Sequence, residues 1–197
     1  MIILKSRQEI EKMRKSNVLV AAILEELKKK IRPGVKTIEL DRLSEEMALK
    51  RGARPAFKGY RGYPYSLCTS VNSEVVHGMP SERELKEGDI VSLDFGILND
   101  GYYGDAAVTV PVGEIAPAAK RLLRVTEEAL YRGIAEVRAG NRIGDISAAI
   151  QGHAEAAGFS VVRDLVGHGI GKNLHEDPHV PNYGSSGRGI ELKAGMV

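Results

Sequence analysis

DIVSLDFGILNDGYYGDAAVTV occupies residues 89–110 and reads as two strands around a turn. Residues 89–98 are apolar and β-prone, Asn99-Asp100-Gly101 is a turn signal, and Tyr102 opens a second apolar run that reaches Val110. With the loop centred on Asn99-Asp100, the hairpin sets Asp94 directly across from Asp105. Directly opposed residues share a face, with Cβ atoms about 5 Å apart. Two carboxylates that close raise one another's pKa or take a cation between them, and a divalent metal would fill that place. Two solvated acids on an exposed edge hairpin are the alternative, and the hairpin alone does not choose.

Outward from this stretch the chain repeats itself. Ser6-x-x-Glu9 is a capping box, and Ile10, Met13, Val20, Leu24, Leu27 and Ile31 follow at near-helical spacing until Pro33-Gly34. A second helix is expected from Thr37 to Gly52. The same plan returns with a helix from Pro117 to Gly140 and another from about Gly144 to Gly158. A shift of 106 aligns Arg32-x-Gly34 with Arg138-x-Gly140, and Gly52 with Gly158. A shift of 107 aligns Glu84-Leu85-Lys86-Glu87-Gly88-Asp89-Ile90 with Glu191-Leu192-Lys193-Ala194-Gly195-Met196-Val197, identical at four of seven positions. Two related α+β halves follow, about 1–113 and about 114–197. The second block stops at Val197, four positions before its counterpart of Asp94. The second half is therefore expected to be incomplete, with an open strand edge, poor order near 180–197 and a tendency to self-associate.

Bulk composition narrows the function classes. The 197 residues, 43% hydrophobic and 27% charged, suit a globular domain with a sizeable core. A formal net charge of +2 gives no general case for nucleic-acid binding. Lys28-Lys29-Lys30 is the longest basic cluster and falls at a helix end, where cations complement the dipole. The single cysteine, Cys68, excludes an internal disulfide and suits a reducing cytoplasm. Charged residues follow the first apolar ones at once, so neither a secretory leader nor a membrane span is expected.

Five histidines supply the remaining chemistry: His77, His153, His168, His175 and His179. His153 falls inside a helical pattern and reads as an ordinary helix residue. His168 stands between glycines in Val166-Gly167-His168-Gly169-Ile170-Gly171, where the backbone can approach closely. Pro178 gives His175-Glu176-Asp177-Pro178 a rigid, extended exit. His77 ends the apolar run Val75-Val76 and precedes Gly78-Met79-Pro80, a strand-to-loop transition. Carboxylates with imidazole suit Mn, Fe, Co or Zn better than thiolate-seeking metals.

Val75-Val76-His77-Gly78-Met79-Pro80, Asp94 spaced eleven residues from Asp105 in Tyr103-Gly104-Asp105-Ala106-Ala107, Val166-Gly167-His168-Gly169-Ile170-Gly171 and His175-Glu176-Asp177-Pro178 together resemble type I methionine aminopeptidase, from the first helix to the last residue. That resemblance implies the pita-bread fold, an α+β architecture whose pseudo-twofold halves each set antiparallel sheet against helices. It implies Asp94, Asp105 and His168 as three of five metal ligands. The other two are glutamates: one in the strand that begins at Gly195-Met196-Val197, the second later still, both beyond Val197. It implies two divalent metals (Co, Mn, Fe or Zn) and a metal-activated hydroxide that attacks the carbonyl of an N-terminal methionine. His175 would stabilise the oxyanion, and His77 would contact the substrate and assist the departing amine. Tyr60, Tyr63, Cys68 and Leu174 match its apolar methionine pocket, with Leu174 where many relatives carry phenylalanine. Cys68 is expected to pack as a small hydrophobe rather than act as a nucleophile. Substrates would be peptides and nascent chains with N-terminal methionine and a small second residue, met in the cytoplasm and at the ribosome, by a family usually monomeric. Two other readings remain: an X-Pro aminopeptidase or prolidase-like enzyme, and a binding module of the same fold without chemistry.

Overall fold

Ser6 opens the first helix as its capping box requires. Its backbone N–H donates to Glu9 Oε2 at 2.9 Å, and the Glu9 N–H donates to Ser6 Oγ at 3.3 Å. The computed structural model describes residues 1–197. In chain order it contains α1 (Arg7–Lys28), α2 (Thr37–Lys50), β1 (Arg54–Pro55), a 3₁₀ turn (Tyr60–Gly62), β2 (Leu67–Val71), β3 (Ile90–Asn99), β4 (Tyr102–Pro111), α3 (Pro117–Ala135), α4 (Ile143–Ala156), β5 (Gly167–Gly169) and β6 (Glu176–Val180). No helix is long and apolar enough to cross a membrane.

The chain divides into two compact units. One comprises Glu11–Ala116 with Lys172–Leu174, the other Met1–Ile10, Pro117–Gly171 and His175–Val197. In the first, the hairpin unit, β3 is the central strand: β4 pairs along one edge, and β1 and β2 pair along the other. Val91, Leu93, Phe95 and Ile97 alternate along β3 and point into a core with Val20, Ile23, Leu24 and Leu27 of α1 and Leu40 of α2. The intervening residues Ser92 and Asp94 face the other side, as a period of two demands. There the Ser92 and Thr109 hydroxyls bond across the strands at 2.8 Å.

In the second unit, the histidine unit, α3 and α4 pack together and β5 pairs antiparallel with β6. A smaller cluster of Ile143, Ile146 and Leu192 forms its apolar centre. The repeat is visible in local bonding. Gly34 N–H donates to Leu85 O at 2.8 Å, and Gly140 N–H donates to Leu192 O at 3.0 Å. Isolated bridges Lys36↔Glu84 and Arg142↔Glu191 take the same places in the two halves.

Both long helices end earlier than their apolar spacing suggests, α1 at Lys28 and α3 at Ala135. In each case the chain tightens into i→i−3 bonds before its closing glycine: Ile31 N–H to Lys28 O at 3.1 Å, and Val137 N–H to Ile134 O at 3.0 Å. Backbone bonds tie the last residues to the rest of their unit. Leu192 N–H donates to Asn141 O at 2.7 Å, Lys5 N–H to Gly195 O at 2.7 Å, and Ile170 N–H to Val197 O at 3.2 Å.

Candidate active site

Asp94 and Asp105 share a face of the β3–β4 hairpin, but they are not direct partners. Asp94 opposes Ala107, and Asp105 opposes Gly96. The loop is Asp100-Gly101, both at positive φ (49° and 78°), the two-residue turn that Asp-Gly favours. Moving the loop centre by one residue shifts every partner by two, so the aspartates become diagonal neighbours and keep their common face. The carboxyls still meet through a hydrogen bond. Burial raises the Asp105 pKa to about 6, and the bond to Asp94 opposes that rise. The Phe57 ring packs on Gly96, where an added Cβ would lie 2.8 Å from it. On the other edge Asn17 of α1 accepts the Asp105 N–H at 3.3 Å. Two half-buried carboxyls joined by a hydrogen bond form the hard-oxygen donor set that a divalent cation takes.

Cys68 sits beside this pair as the β2 partner of Asp94. Burial, with the two carboxylates, pushes its thiol up to about 12, while the Tyr63 hydroxyl opposes the shift. Such a thiol is not a nucleophile at neutral pH. The folded chain is therefore expected to resist iodoacetamide at pH 8 and to take one adduct only after unfolding, a difference that intact mass reads directly. Tyr63 donates to Leu67 O at 2.9 Å and Gly78 O at 3.2 Å, tying the 3₁₀ turn to the start of β2 and to the loop after it. Burial and the neighbouring Cys68 also raise the Tyr63 phenol. Tyr60 is half-buried at the head of that turn, and Leu174 is fully buried.

His77 is not on a strand margin. β2 ends at Val71, whose N–H is taken by Glu74 Oε2 at 2.9 Å, and Val75-Val76 lie exposed in a loop. The loop folds back because Thr69 N–H donates to Gly78 O at 2.8 Å. A side chain at Gly78 would collide with the Thr69 carbonyl, so the neighbouring His77, at φ 60°, has its place set by glycine.

In the histidine unit, the His168 and His175 rings lie 4.2 Å apart at 39°. His168 Nδ1 is 2.9 Å from Gly169 O. A carbonyl only accepts, so Nδ1 is the donor in this bond, and Nε2 is the ring nitrogen left to face a metal. His153 is half-buried in α4 with Nε2 2.9 Å from Glu128 Oε2 of α3, as befits a helix residue. No group of three or more His, Cys, Asp or Glu side chains is set to hold a metal ion. Asp94 and Asp105 meet in one unit, His168 and His175 in the other.

The pattern of metallopeptidase family M24 matches residues 11–197. The chain belongs to that family. The methionine aminopeptidase of Clostridium perfringens is 54% identical over 197 residues, which cover the whole chain and 79% of that protein. Methionine aminopeptidase 1 of Bacillus subtilis is 52% identical with the same coverage. Among solved structures, the methionine aminopeptidase of Rickettsia prowazekii superposes with a TM-score of 0.98 at 42% identity, covering 100% of the chain and 79% of its own. An Xaa-Pro dipeptidase from Bacillus anthracis matches at 0.85 and 28%, with 52% of its length covered. The fold is the pita-bread fold of these M24 enzymes. M24 membership makes the chain an enzyme of the metallopeptidase class, with divalent metal ions as its cofactor.

Sequence reasoning missed the residues that contact these segments: Asn17 at the Asp105 backbone, Phe57 at Gly96, and Lys5, bonded to Glu176 next to His175. Asn17 stands among helix residues with no local signal. Lys5 pairs with a residue 171 positions away, a separation that no motif records.

Proposed function

We propose that the chain removes N-terminal methionine from peptides and nascent proteins with a small second residue. The 54% identity to a methionine aminopeptidase across the whole chain carries the reading. The dipeptidases of the same fold are more distant, at 28% identity or less. Asp94, Asp105 and His168 would be the ligands of two divalent metals, Co, Mn, Fe or Zn, which would supply Lewis acidity and a lowered pKa for water.

The chain's own side chains do the rest. Asp94 and Asp105 offer a donor pair whose proton a cation displaces. His168 keeps its proton on Nδ1 and offers Nε2. His175 donates a hydrogen bond to the scissile carbonyl oxygen as negative charge grows there, and His77 contacts the substrate and passes a proton to the departing amine. Tyr60, Tyr63, Cys68 and Leu174 form the apolar wall against the methionine thioether. The setting is cytoplasmic, with nascent chains at the ribosome as substrates, and residues 1–113 and 114–197 are the two halves of one catalytic domain.

Release of methionine from Met-Ala-Ser tests this, with metal-stripped chain given Mn²⁺ or Co²⁺ and Ala-Pro as the comparison. Metal-dependent release from Met-Ala-Ser alone is the expected outcome. Cleavage of Ala-Pro instead would move the chain to the dipeptidases. Tight metal binding without cleavage of either would leave a binding module.

A further inference from the structure

The strongest feature that the proposed chemistry does not use is a buried ion pair that ties the segment before α1 to β6. Lys5 Nζ lies 2.5 Å from Glu176 Oε2, with side chains only 4% and 8% exposed. Lys5 Nζ also donates to Ile3 O at 3.0 Å, and its backbone N–H donates to Gly195 O at 2.7 Å. Glu176 follows His175 and opens β6, where it pairs with Gly169, the residue after His168. The Gly169-Ile170-Gly171 turn closes on the pair. A Cβ at Gly171 would lie 2.7 Å from Glu176 Oε1 and 2.8 Å from Lys5 Cε.

We propose that Lys5 is a positioning residue for the histidine pair. Its bond to Glu176 sets the backbone that carries His175 on one side and His168 across the strand. Buried ion pairs seldom hold a fold better than an apolar pair of equal volume. What an ion pair adds is direction: the ammonium holds Glu176 Oε2 in one place, and rotation of residue 176 about the chain would turn His175 and slide β5. The irregularity between His168 and Gly169 leaves that strand no regular ladder of its own to resist such a slide. The segment before α1 thereby takes part in the site. The catalytic consequence rests on the role proposed above for His168 and His175.

The test replaces the pair with neutral partners of similar size, Lys5→Met with Glu176→Gln, in the 197-residue chain. Aromatic ¹H–¹³C spectra of the metal-free protein follow the five imidazoles, and Met-Ala-Ser release is measured with Mn²⁺. The His168 and His175 resonances are expected to move beyond their linewidths while His77 and His153 stay. The melting temperature should remain within about 4 °C. kcat should fall about 100-fold, as misplaced catalytic groups do, with KM changed by less than about threefold. Lys5→Arg, which keeps the charge, should leave these four resonances in place and restore most of the rate. Unmoved His168 and His175 resonances in the double variant overturn the proposal. If that variant does not fold, Lys5→Gln is read by the same resonances, and their staying in place overturns the proposal equally. A chain that releases no methionine before any substitution defeats the functional reading instead, and the imidazole spectra still decide whether Lys5 positions the pair.

Discussion

Asp105→Asn is expected to weaken divalent-metal binding at least about 100-fold while leaving the metal-free fold as stable as before or more so. Two unit charges about 4 Å apart interact by about 4 kcal/mol at an effective dielectric near 20, and each 1.4 kcal/mol is tenfold in affinity. Loss of one carboxylate from a two-carboxylate donor set therefore exceeds two decades even after the remaining ligands adjust. The effect on folding has the opposite sign. Asp105 is half-buried beside Asp94, and desolvation raises its pKa to about 6 from an ordinary carboxyl value near 4. The folded state thus binds more protons than the unfolded state across that window, and this group's contribution to stability falls as pH rises from about 4 to 6. An amide has nothing to ionise. The melting advantage of the asparagine variant should be absent near pH 4 and full by pH 7. Titration calorimetry with Mn²⁺ and melts at the two pH values check both halves. Retained metal affinity would remove Asp105 from the ligand set.

How much of the fold and site is legible in the sequence depends on the range of the interaction. The β3–β4 hairpin is legible because alternation and an Asp-Gly turn are local. Its register differs from the sequence reading by one loop position, since Asn99-Asp100 looks like the centre where positive φ falls on Asp100 and Gly101. The difference keeps the two carboxyls on one face because side chains alternate with a period of two. The capping box at Ser6 and the Arg-x-Gly endings of the repeat are equally local, and their bonds recur at the expected shifts. Val75-Val76 misleads because an apolar pair after a strand resembles its continuation. The strand is stopped by the Glu74 side chain and the return of Gly78 to Thr69, neither of which a hydrophobicity pattern encodes. The motifs around His168 and His175 mark where chemistry sits. The Lys5–Glu176 bond beside them spans 171 residues, a range that pattern reading does not reach.

Phe95→Ala separates the structural face of the hairpin from its chemical face. Phe95 is fully buried among Leu93, Ile97, Leu24 and Leu27, one position along β3 from Asp94 and on the opposite side. Truncation of a buried phenylalanine costs about 3–5 kcal/mol, part lost transfer free energy and part cavity. For a chain of this size that corresponds to a melting temperature about 10 °C lower. The metal face should be spared in the molecules that remain folded, so Mn²⁺ affinity measured well below the melt should change by less than about threefold. Metal should then restore much of the loss. Binding to the folded state alone adds about 2.7 kcal/mol at a hundredfold excess over Kd, more than half of what the cavity removes. Asp105→Asn should show the reverse, a melt that metal no longer raises. A Phe95→Ala chain that melts low and gains nothing from Mn²⁺ would mean that the core strand and the carboxyl pair do not act as separate faces, and that the hairpin loses its metal geometry whenever its core loosens.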